Sequence, residues 1–250
     1  MRGSLVTKWF EDRNLYIYTP PSYAEDESVY YPAVYVQDGS YLFADSMEEL
    51  EADFARGVTQ EVVFVGIEPV ERTREYTPWK ATPLQPNENL AGEGDAYLTF
   101  VTENVMPYVK EQYRILEDAS RAGIAGGSFG ALISLYAAYR KPAHFGRFAL
   151  MSASLWYEQM MEFVESSSFA QEEIRLYMYV GEQEGVKMAN LLKHMVPNTK
   201  KAYALLKDKV PGGAGSIMLE TDPDGVHSHH YFNRYFPHAM KFLYPGAKFE

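Results

Sequence analysis

A serine lies between two closely spaced glycines at residues 126–130, whose sequence is Gly-Gly-Ser-Phe-Gly. The apolar run at 122–125 predicts a buried strand before it, and residues 131–139 predict a helix after it. Gly-x-Ser-x-Gly between strand and helix is typical of a nucleophile elbow, whose serine projects from a tight, strained turn. Glycine is needed on both sides because larger side chains would collide with neighbouring backbone. We therefore predict Ser128 as a nucleophile; a glycine-rich structural turn is the alternative interpretation.

A serine hydroxyl attacks efficiently only when a base removes its proton and a third group holds the tautomer of that base. His227 lies in the loop that leaves the last predicted strand, and we predict it as the base. A metal site formed by His227, His229 and His230 is conceivable, but no carboxylates at ligand spacing support it, so we predict no metal. The other histidines are interpreted as residues without a role at the site: His144, His194 and His238.

The acid that orients the base is predicted in the segment after the strand that ends at Gly181. Glu184 is favoured over Glu182, because a carboxylate directly after the strand glycine more often points to solvent. Asp222 and Asp224 are less favoured because they lie close to His227 in sequence, although a loop could fold one of them back. Glutamate is an accepted triad acid alongside the commoner aspartate.

Two backbone N–H groups are candidates for an oxyanion hole. Phe129 begins the helix after the nucleophile, where the helix dipole favours negative charge. Residues 37–40 (Gln-Asp-Gly-Ser) follow another predicted strand, and Gly39 allows the backbone to turn so that Ser40 presents its N–H. We predict Ser40 and Phe129 as the two donors; the alternative is that Asp38 and Gly39 form only a turn.

Composition narrows the class of protein. A net charge of -11 without a concentrated basic segment argues against nucleic-acid binding. The absence of cysteine excludes disulfides and a cysteine nucleophile. No apolar run is long enough for a membrane span, and the first residues lack the apolar core of a signal peptide, which predicts a cytoplasmic protein without membrane contact. We expect a single domain over residues 1–250 that needs no cofactor.

Strand and helix patterns alternate from residue 33 onward, which predicts an α/β protein with a mostly parallel sheet and helices on both faces. In such sheets ligands bind beyond the carboxyl ends of the strands. The predicted strands are 14–19, 33–36, 61–67, 122–125, 148–151, 174–180 and 216–221. The predicted helices are 47–56, 95–113, 131–139, a short one from Trp156, one or two within 186–195 and 199–207, and 231–243. A long polar loop is predicted at 68–93.

Four groups of residues, in order along most of the chain, resemble motifs of the putative-esterase family of α/β-hydrolases. They are 35–39 (Tyr-Val-Gln-Asp-Gly), 72–79 (Arg-Thr-Arg-Glu-Tyr-Thr-Pro-Trp), 126–130, and 225–228 together with 234–237. That family includes siderophore esterases, feruloyl esterases, S-formylglutathione hydrolases and mycolyltransferases, and residues 72–79 are most similar to the branch of siderophore esterases and uncharacterised bacterial esterases. The resemblance implies an α/β-hydrolase fold with Ser128 as nucleophile, His227 as base, and the N–H groups of Ser40 and Phe129 as oxyanion hole. Glu184 stands where the family often has aspartate.

The predicted surroundings of Ser128 suggest a kind of substrate. Residues 152–173, where many lipases insert a large lid, have room for about one helix, which predicts an open cleft without a large lid. Arg72, Arg74 and Trp79 on the long loop, and Trp156 on the other side, are predicted to bind substrate. The arginines would contact an anionic or catecholate acyl group and the aromatic rings would pack on it. Alternatively, Arg74 pairs with a local carboxylate such as Glu71 or Glu75.

The sequence therefore predicts a serine carboxylic-ester hydrolase that forms an acyl-serine intermediate on a small-molecule, soluble ester, with aromatic and siderophore-type esters as the suggested kinds. One alternative is an acyltransferase that uses the same residues. Another is a catalytically silent α/β-hydrolase fold that serves as a binding module. The sequence leaves the oligomeric state and the choice among these open.

Overall fold

An eight-stranded sheet forms the centre of the computed structural model, which describes residues 1–84 and 88–246. The strands are β1 (Ser4–Phe10), β2 (Arg13–Thr19), β3 (Ala33–Gln37), β4 (Val63–Ile67), β5 (Gly123–Gly127), β6 (Arg147–Met151), β7 (Arg175–Gly181) and β8 (Ile217–Asp222). Their order across the sheet is β1-β2-β4-β3-β5-β6-β7-β8. β2 pairs antiparallel with β1 and β4, whereas the remaining neighbours are parallel. The carboxyl ends of β3 to β8 therefore lie along one edge.

Helices connect the strands in the described residues. They are α1 (Tyr41–Ala44), α2 (Met47–Arg56), α3 (Arg72–Glu75), α4 (Gly94–Phe100), α5 (Met106–Gln112), α6 (Phe129–Arg140), α7 (Met160–Ser166), α8 (Met195–Lys207) and α9 (His229–Leu243). A π-helical turn at Val101–Val105 joins α4 to α5, so the predicted helix at 95–113 is one run of three segments. Short 3-10 helices lie at Pro21–Ala24, Ala119–Arg121, Leu191–His194 and Gly213–Ser216.

Both faces of the sheet are covered by helices, as the alternation of patterns predicted. One core contains side chains from α4 to α8 packed on the sheet, with Leu132, Val105 and Phe148 fully buried. The other contains side chains from α1, α2 and α9, among them Phe43 and Phe236. Strands buried on both faces carry continuous apolar runs, which made β3 to β7 recognisable from sequence. The α/β fold with a mostly parallel sheet is confirmed.

Besides the short helices α1 and α3, which were not predicted, two parts of the fold differ from the sequence prediction. The first is β1, an edge strand whose residues are mostly exposed, Trp9 at 70%, so that no core-facing alternation marks it. The second is 186–195, where the predicted helix is wrong. Only the 3-10 helix Leu191–His194 forms there, and Asn190 caps it by accepting from the Leu192 N–H. The regular helix, α8, begins at Met195 instead.

Two of the segments at the carboxyl edge of the sheet were singled out in the sequence, the one after β4 and the one between β6 and β7. The predicted loop at 68–93 contains α3, while its residues 85–87, including Pro86, lie outside the described residues. Between β6 and β7 the chain contains α7 as its α-helix and has no large lid. None of the helices in the described ranges combines the length and apolar character that a membrane crossing needs.

Candidate active site

Ser128 lies on the turn between β5 and α6, at the edge where the parallel strands end. Its φ of 59° and ψ of -117° form a strained conformation for a residue with a side chain. Its N–H donates to the carbonyl of Met151 on the neighbouring strand, at 2.9 Å. A Cβ added to Gly126 would lie 2.4 Å from the carbonyl carbon of Gly130, so only glycine allows the turn to close this tightly. The backbone thus has the geometry of a nucleophile elbow.

His227 comes from the loop between β8 and α9 and reaches Ser128 across 99 positions of sequence. Its Nε2 lies 3.0 Å from the Ser128 Oγ, within hydrogen-bond distance. Its ring packs edge-on against Phe232, with ring centroids 5.1 Å apart. The side chain remains 39% exposed, so the imidazole borders open solvent on one side. In this position the ring can accept a proton from the serine hydroxyl.

Glu184 supplies the carboxylate on the other side of the imidazole. Its Oε2 lies 2.7 Å from His227 Nδ1, and the side chain is fully buried. Its Oε1 accepts hydrogen bonds from the Gly181 N–H at 2.9 Å and from the Ser152 hydroxyl at 2.6 Å. A carboxylate bonded to Nδ1–H fixes the tautomer in which Nε2 is free to accept a proton. Glu184, His227 and Ser128 therefore form one chain of hydrogen bonds.

The other carboxylates considered from sequence have different partners. Glu182 pairs with Lys200 at 3.0 Å, and this hydrogen bond lowers the pKa of Glu182. Asp222 accepts from the Tyr235 hydroxyl at 2.8 Å. The N–H of Asp224 donates to Asp222 Oδ1 at 2.9 Å, which closes the turn that precedes His227. None of the three has an ion pair with His227 in the described part of the chain, where Glu184 forms that pair.

The loops that carry the acid and the base are packed together at two glycines. A Cβ added to Gly181 would lie 2.4 Å from the carbonyl carbon of Gly225. The Gln183 N–H also donates to the Gly225 carbonyl at 2.9 Å. This close backbone contact sets the distance between the loop of Glu184 and the loop of His227, because no side chain separates them.

The two predicted oxyanion donors occupy different positions. Phe129 begins α6 directly after Ser128, with its ring nearly buried. Ser40 precedes α1, on a turn that crosses β4 beside Gly66. Within residues 1–84 and 88–246, neither backbone N–H has a protein acceptor. Both are therefore free donors, and the role of each in an oxyanion hole stays a prediction.

A cleft of about 470 Å³ opens at Ser128 and His227. Arg72 lines it and donates to both carboxylate oxygens of Asp38, at 2.6 and 2.9 Å. Burial would lower the pKa of Arg72, but its hydrogen bonds and proximity to Asp38 raise the pKa overall. Tyr41 and His229 also line it, with their rings stacked at a centroid distance of 4.2 Å. The remaining lining residues are Gly127, Ser228 and Phe232.

The chain matches the family described as putative esterase over residues 8–243, nearly its whole length. The chain belongs to the putative esterase family. Within this family it is 36% identical over 245 residues to the uncharacterized protein YbbA of Bacillus subtilis (strain 168), covering 98% of this chain and 97% of that protein. A siderophore enterobactin esterase of Emericella nidulans is 25% identical over 153 residues, 55% of this chain and 50% of that protein.

The fold of this esterase-family chain is also found in solved structures. The IroE-like serine hydrolase from Shewanella oneidensis superposes with a TM-score of 0.78 at 19% sequence identity. The superposition covers 96% of this chain and 80% of that one. At this identity the similarity concerns the fold, and the predicted α/β-hydrolase fold is confirmed.

Three residues predicted to bind substrate do not line the cleft of this esterase-family protein. Arg74 pairs with Glu93 at 2.7 Å and lies 3.8 Å from Glu71. It therefore pairs with local carboxylates, as the alternative interpretation of the sequence had it. Trp79 donates from Nε1 to the Glu158 carbonyl at 2.9 Å, an interaction that holds the 68–93 segment on the domain. Trp156 packs edge-on against Phe129 and lines a separate cavity of about 290 Å³. Of the four predicted residues, Arg72 borders the cleft.

Some residues at the site were not predicted from sequence. Tyr41 and His229 reach the cleft because α1 packs against the start of α9, a contact between distant parts of the chain. Asp38 was considered only as part of a turn, although its position one residue before a glycine and after a strand is a signal for a cleft residue. Among the described residues no three histidine, aspartate or glutamate side chains are grouped closely enough to hold a metal ion.

Replacing Glu184 by alanine is expected to lower kcat/KM by roughly 10²- to 10⁴-fold, because His227 loses the group that fixes its tautomer. Glu182→Ala is the matched control, two positions away and paired with Lys200, and should leave kcat/KM near the wild-type value. Ester hydrolysis by purified variants is the measurement. A larger loss of activity in Glu182→Ala than in Glu184→Ala would show that Glu184 is not the residue that orients His227.

Asp222→Asn is expected to lower the melting temperature at neutral pH, with the difference from wild type vanishing in acid. Hydrogen bonds from Tyr235 and the Asp224 N–H hold the pKa of Asp222 below its usual range. Such a depressed pKa contributes stability above the unfolded pKa of about 3.9, and this contribution is lost as pH falls through the folded pKa. Melting curves of both proteins between neutral pH and pH 3 test this, and a pH-independent difference would contradict it.

Proposed function

We propose that this protein is a serine carboxylic-ester hydrolase that acts through an acyl-serine intermediate. The observation that carries the proposal is the hydrogen-bonded chain from Glu184 through His227 to the oxygen of Ser128, which lies at the strained elbow. Membership of the esterase family and the cleft that opens over Ser128 support the same reaction.

In the first half of the reaction Ser128 Oγ attacks the ester carbonyl while His227 Nε2 takes its proton. The carbonyl oxygen becomes negative and accepts hydrogen bonds from Phe129 N–H and Ser40 N–H. Glu184 stays ionised and stabilises the imidazolium that has formed. His227 then gives its proton to the leaving alcohol, and the acyl group remains on Ser128.

In the second half a water molecule replaces the alcohol. His227 accepts a proton from the water, whose oxygen attacks the acyl carbon of the intermediate. The tetrahedral species collapses, Ser128 leaves with the proton from His227, and the carboxylic acid is released. The exposed side of the imidazole gives water direct access to Nε2 from the open cleft.

The substrate class follows from the walls of the cleft. Arg72 offers a cation already held by Asp38, and the Tyr41–His229 stack adds aromatic side chains to the lining of the same cleft. A soluble ester with an aromatic or catecholate acyl group, such as a siderophore ester, suits this combination. The siderophore enterobactin esterase among the relatives supports the siderophore-type choice.

A fluorophosphonate probe followed by mass spectrometry tests the enzyme class. We expect the probe to modify the wild-type protein at Ser128, because only an activated serine reacts rapidly. An unmodified protein would indicate that the fold serves as a binding module. A panel of p-nitrophenyl esters, feruloyl esters and ferric trilactone siderophores then identifies the substrate, and product analysis with added alcohols separates hydrolysis from acyl transfer.

Arg72→Ala is expected to lower kcat/KM for anionic aryl esters about tenfold more than for neutral esters of the same size, because a charge-assisted hydrogen bond is lost. Arg74→Ala is the control, since Arg74 pairs with Glu93 away from the cleft. Parallel kinetics on the two ester classes give the ratio. If Arg72→Ala lowered kcat/KM equally for anionic and neutral esters, the role of Arg72 would be to hold Asp38 and not to bind the substrate anion.

A further inference from the structure

Two buried serines follow β6 and contact both ends of the proposed triad. Ser152 donates to Glu184 Oε1 at 2.6 Å, and Ser154 Oγ lies 3.3 Å from Ser128 Oγ. Both serines are fully buried. Because β6 lies between β5 and β7 in the sheet, the loop at its carboxyl end is next to the nucleophile on one side and the acid on the other.

We propose that Ser152 is a positioning residue for Glu184 and that Ser154 is a catalytic residue that stabilises charge on Ser128. This inference rests on the function proposed above, and it adds two hydroxyl groups to the machinery of the reaction. The two serines act at opposite ends of the same hydrogen-bonded chain.

Ser152 holds the carboxylate of Glu184 in one orientation. Its backbone has φ 50°, a strained conformation that persists only where the surroundings enforce it. Its N–H donates to the Tyr179 carbonyl on β7 at 2.7 Å, which holds the loop in place. With Oε1 occupied by the Ser152 hydroxyl and the Gly181 N–H, Oε2 is directed at His227. Ser152 therefore acts on the reaction through Glu184.

Ser154 contacts the reacting oxygen itself. With Ser128 donating its proton to His227 Nε2, Ser128 Oγ can accept a hydrogen bond from the Ser154 hydroxyl. Within the described residues Ser154 Oγ has Ser128 Oγ as its hydrogen-bond partner. When His227 takes the proton from Ser128, negative charge grows on Oγ and a charge-assisted bond from Ser154 strengthens. Ser154 keeps its own proton throughout.

Ser154→Ala tests the catalytic role through two rates. We expect kcat/KM and the rate constant for fluorophosphonate labelling of Ser128 to fall about tenfold. The fall in kcat/KM should come from kcat, while KM stays unchanged. Ser154→Thr retains a hydroxyl and should restore most of both rates, while Ser154→Cys, with a weak donor, should resemble the alanine variant. Ser46→Ala removes a buried hydroxyl that donates to the Leu42 carbonyl and should label at the wild-type rate.

Ser152→Ala tests the positioning role through its dependence on Glu184. In the wild-type background we expect kcat/KM to fall about three- to tenfold. In a Glu184→Ala background the same substitution should change nothing further, because the group through which Ser152 acts is absent. Equal losses in both backgrounds would make Ser152 a structural residue and overturn its assignment.

The outcomes separate this inference from the proposed function. A wild-type protein that the probe does not label at Ser128 overturns both. If the wild-type protein is labelled and Ser154→Ala and Ser154→Cys are both labelled as fast as the wild-type protein, the catalytic role of Ser154 is overturned while the hydrolase proposal stands. Melting temperatures of all variants, measured in parallel, show whether a slow variant is folded.

Discussion

Replacement of Ser128 by alanine is expected to lower kcat/KM for any ester substrate by roughly 10⁴- to 10⁶-fold. The alanine variant keeps the cleft, the free N–H of Phe129 and the Glu184–His227 pair, but lacks the oxygen that forms the acyl intermediate. Substrate binding should therefore persist while turnover is lost. Steady-state kinetics, with binding of a non-hydrolysable ester analogue measured by calorimetry, separate the two effects.

Ser134→Ala provides the matched control for that experiment. Ser134 is fully buried on α6, one and a half turns beyond Ser128, and its hydroxyl donates to the Gly130 carbonyl at 2.7 Å. Removing it deletes a buried hydroxyl near the elbow without touching the triad. Activity that survives in Ser128→Ala, or disappears equally in Ser134→Ala, would contradict the assignment of the nucleophile.

His227→Ala is expected to have an effect of similar size, because without a base the Ser128 hydroxyl keeps its proton at neutral pH. The fluorophosphonate should also label this variant far more slowly than the wild-type protein. Activity remaining in His227→Ala should rise steadily with pH, since hydroxide becomes the base.

The comparison for this variant is His230→Ala, since His230 is exposed three positions away and its ring contacts Tyr231. It should retain wild-type kinetics. If the two histidine variants lost activity to the same extent, the loop after β8 would have a structural role and the base would remain unassigned.

The sequence allowed the positions of the proposed triad residues at one edge of the sheet to be predicted, because each of them follows a strand that sequence patterns reveal. Ser128 follows the buried run of β5, Glu184 follows β7 and His227 follows β8, so the topology of a parallel sheet brings them to one edge. The choice of Glu184 over Glu182 depended only on its distance from the end of the strand. Its partners, Ser152 and Gly181, become visible only in three dimensions.

Other features could not be predicted because they depend on contacts between distant segments. Trp79 and Arg74 are residue types that often bind aromatic or anionic ligands. Here Trp79 donates to the Glu158 carbonyl and Arg74 pairs with the Glu93 carboxylate, and neither side chain lines the cleft. Tyr41 reaches the cleft only because α1 packs on α9. The edge strand β1 has too few buried residues to produce a periodic apolar pattern.

The backbone contact between Gly181 and Gly225 limits where this protein can be redesigned. An insertion in either loop would separate Glu184 from His227, the pair on which the proposed proton transfer depends, so the proposed reaction requires both loops to keep their lengths. The described residues of the 68–93 segment place Arg72 at the cleft, and no residue of the proposed triad lies in this segment. New specificities should therefore be selected from libraries that vary this segment while the two glycine-bearing loops are kept unchanged.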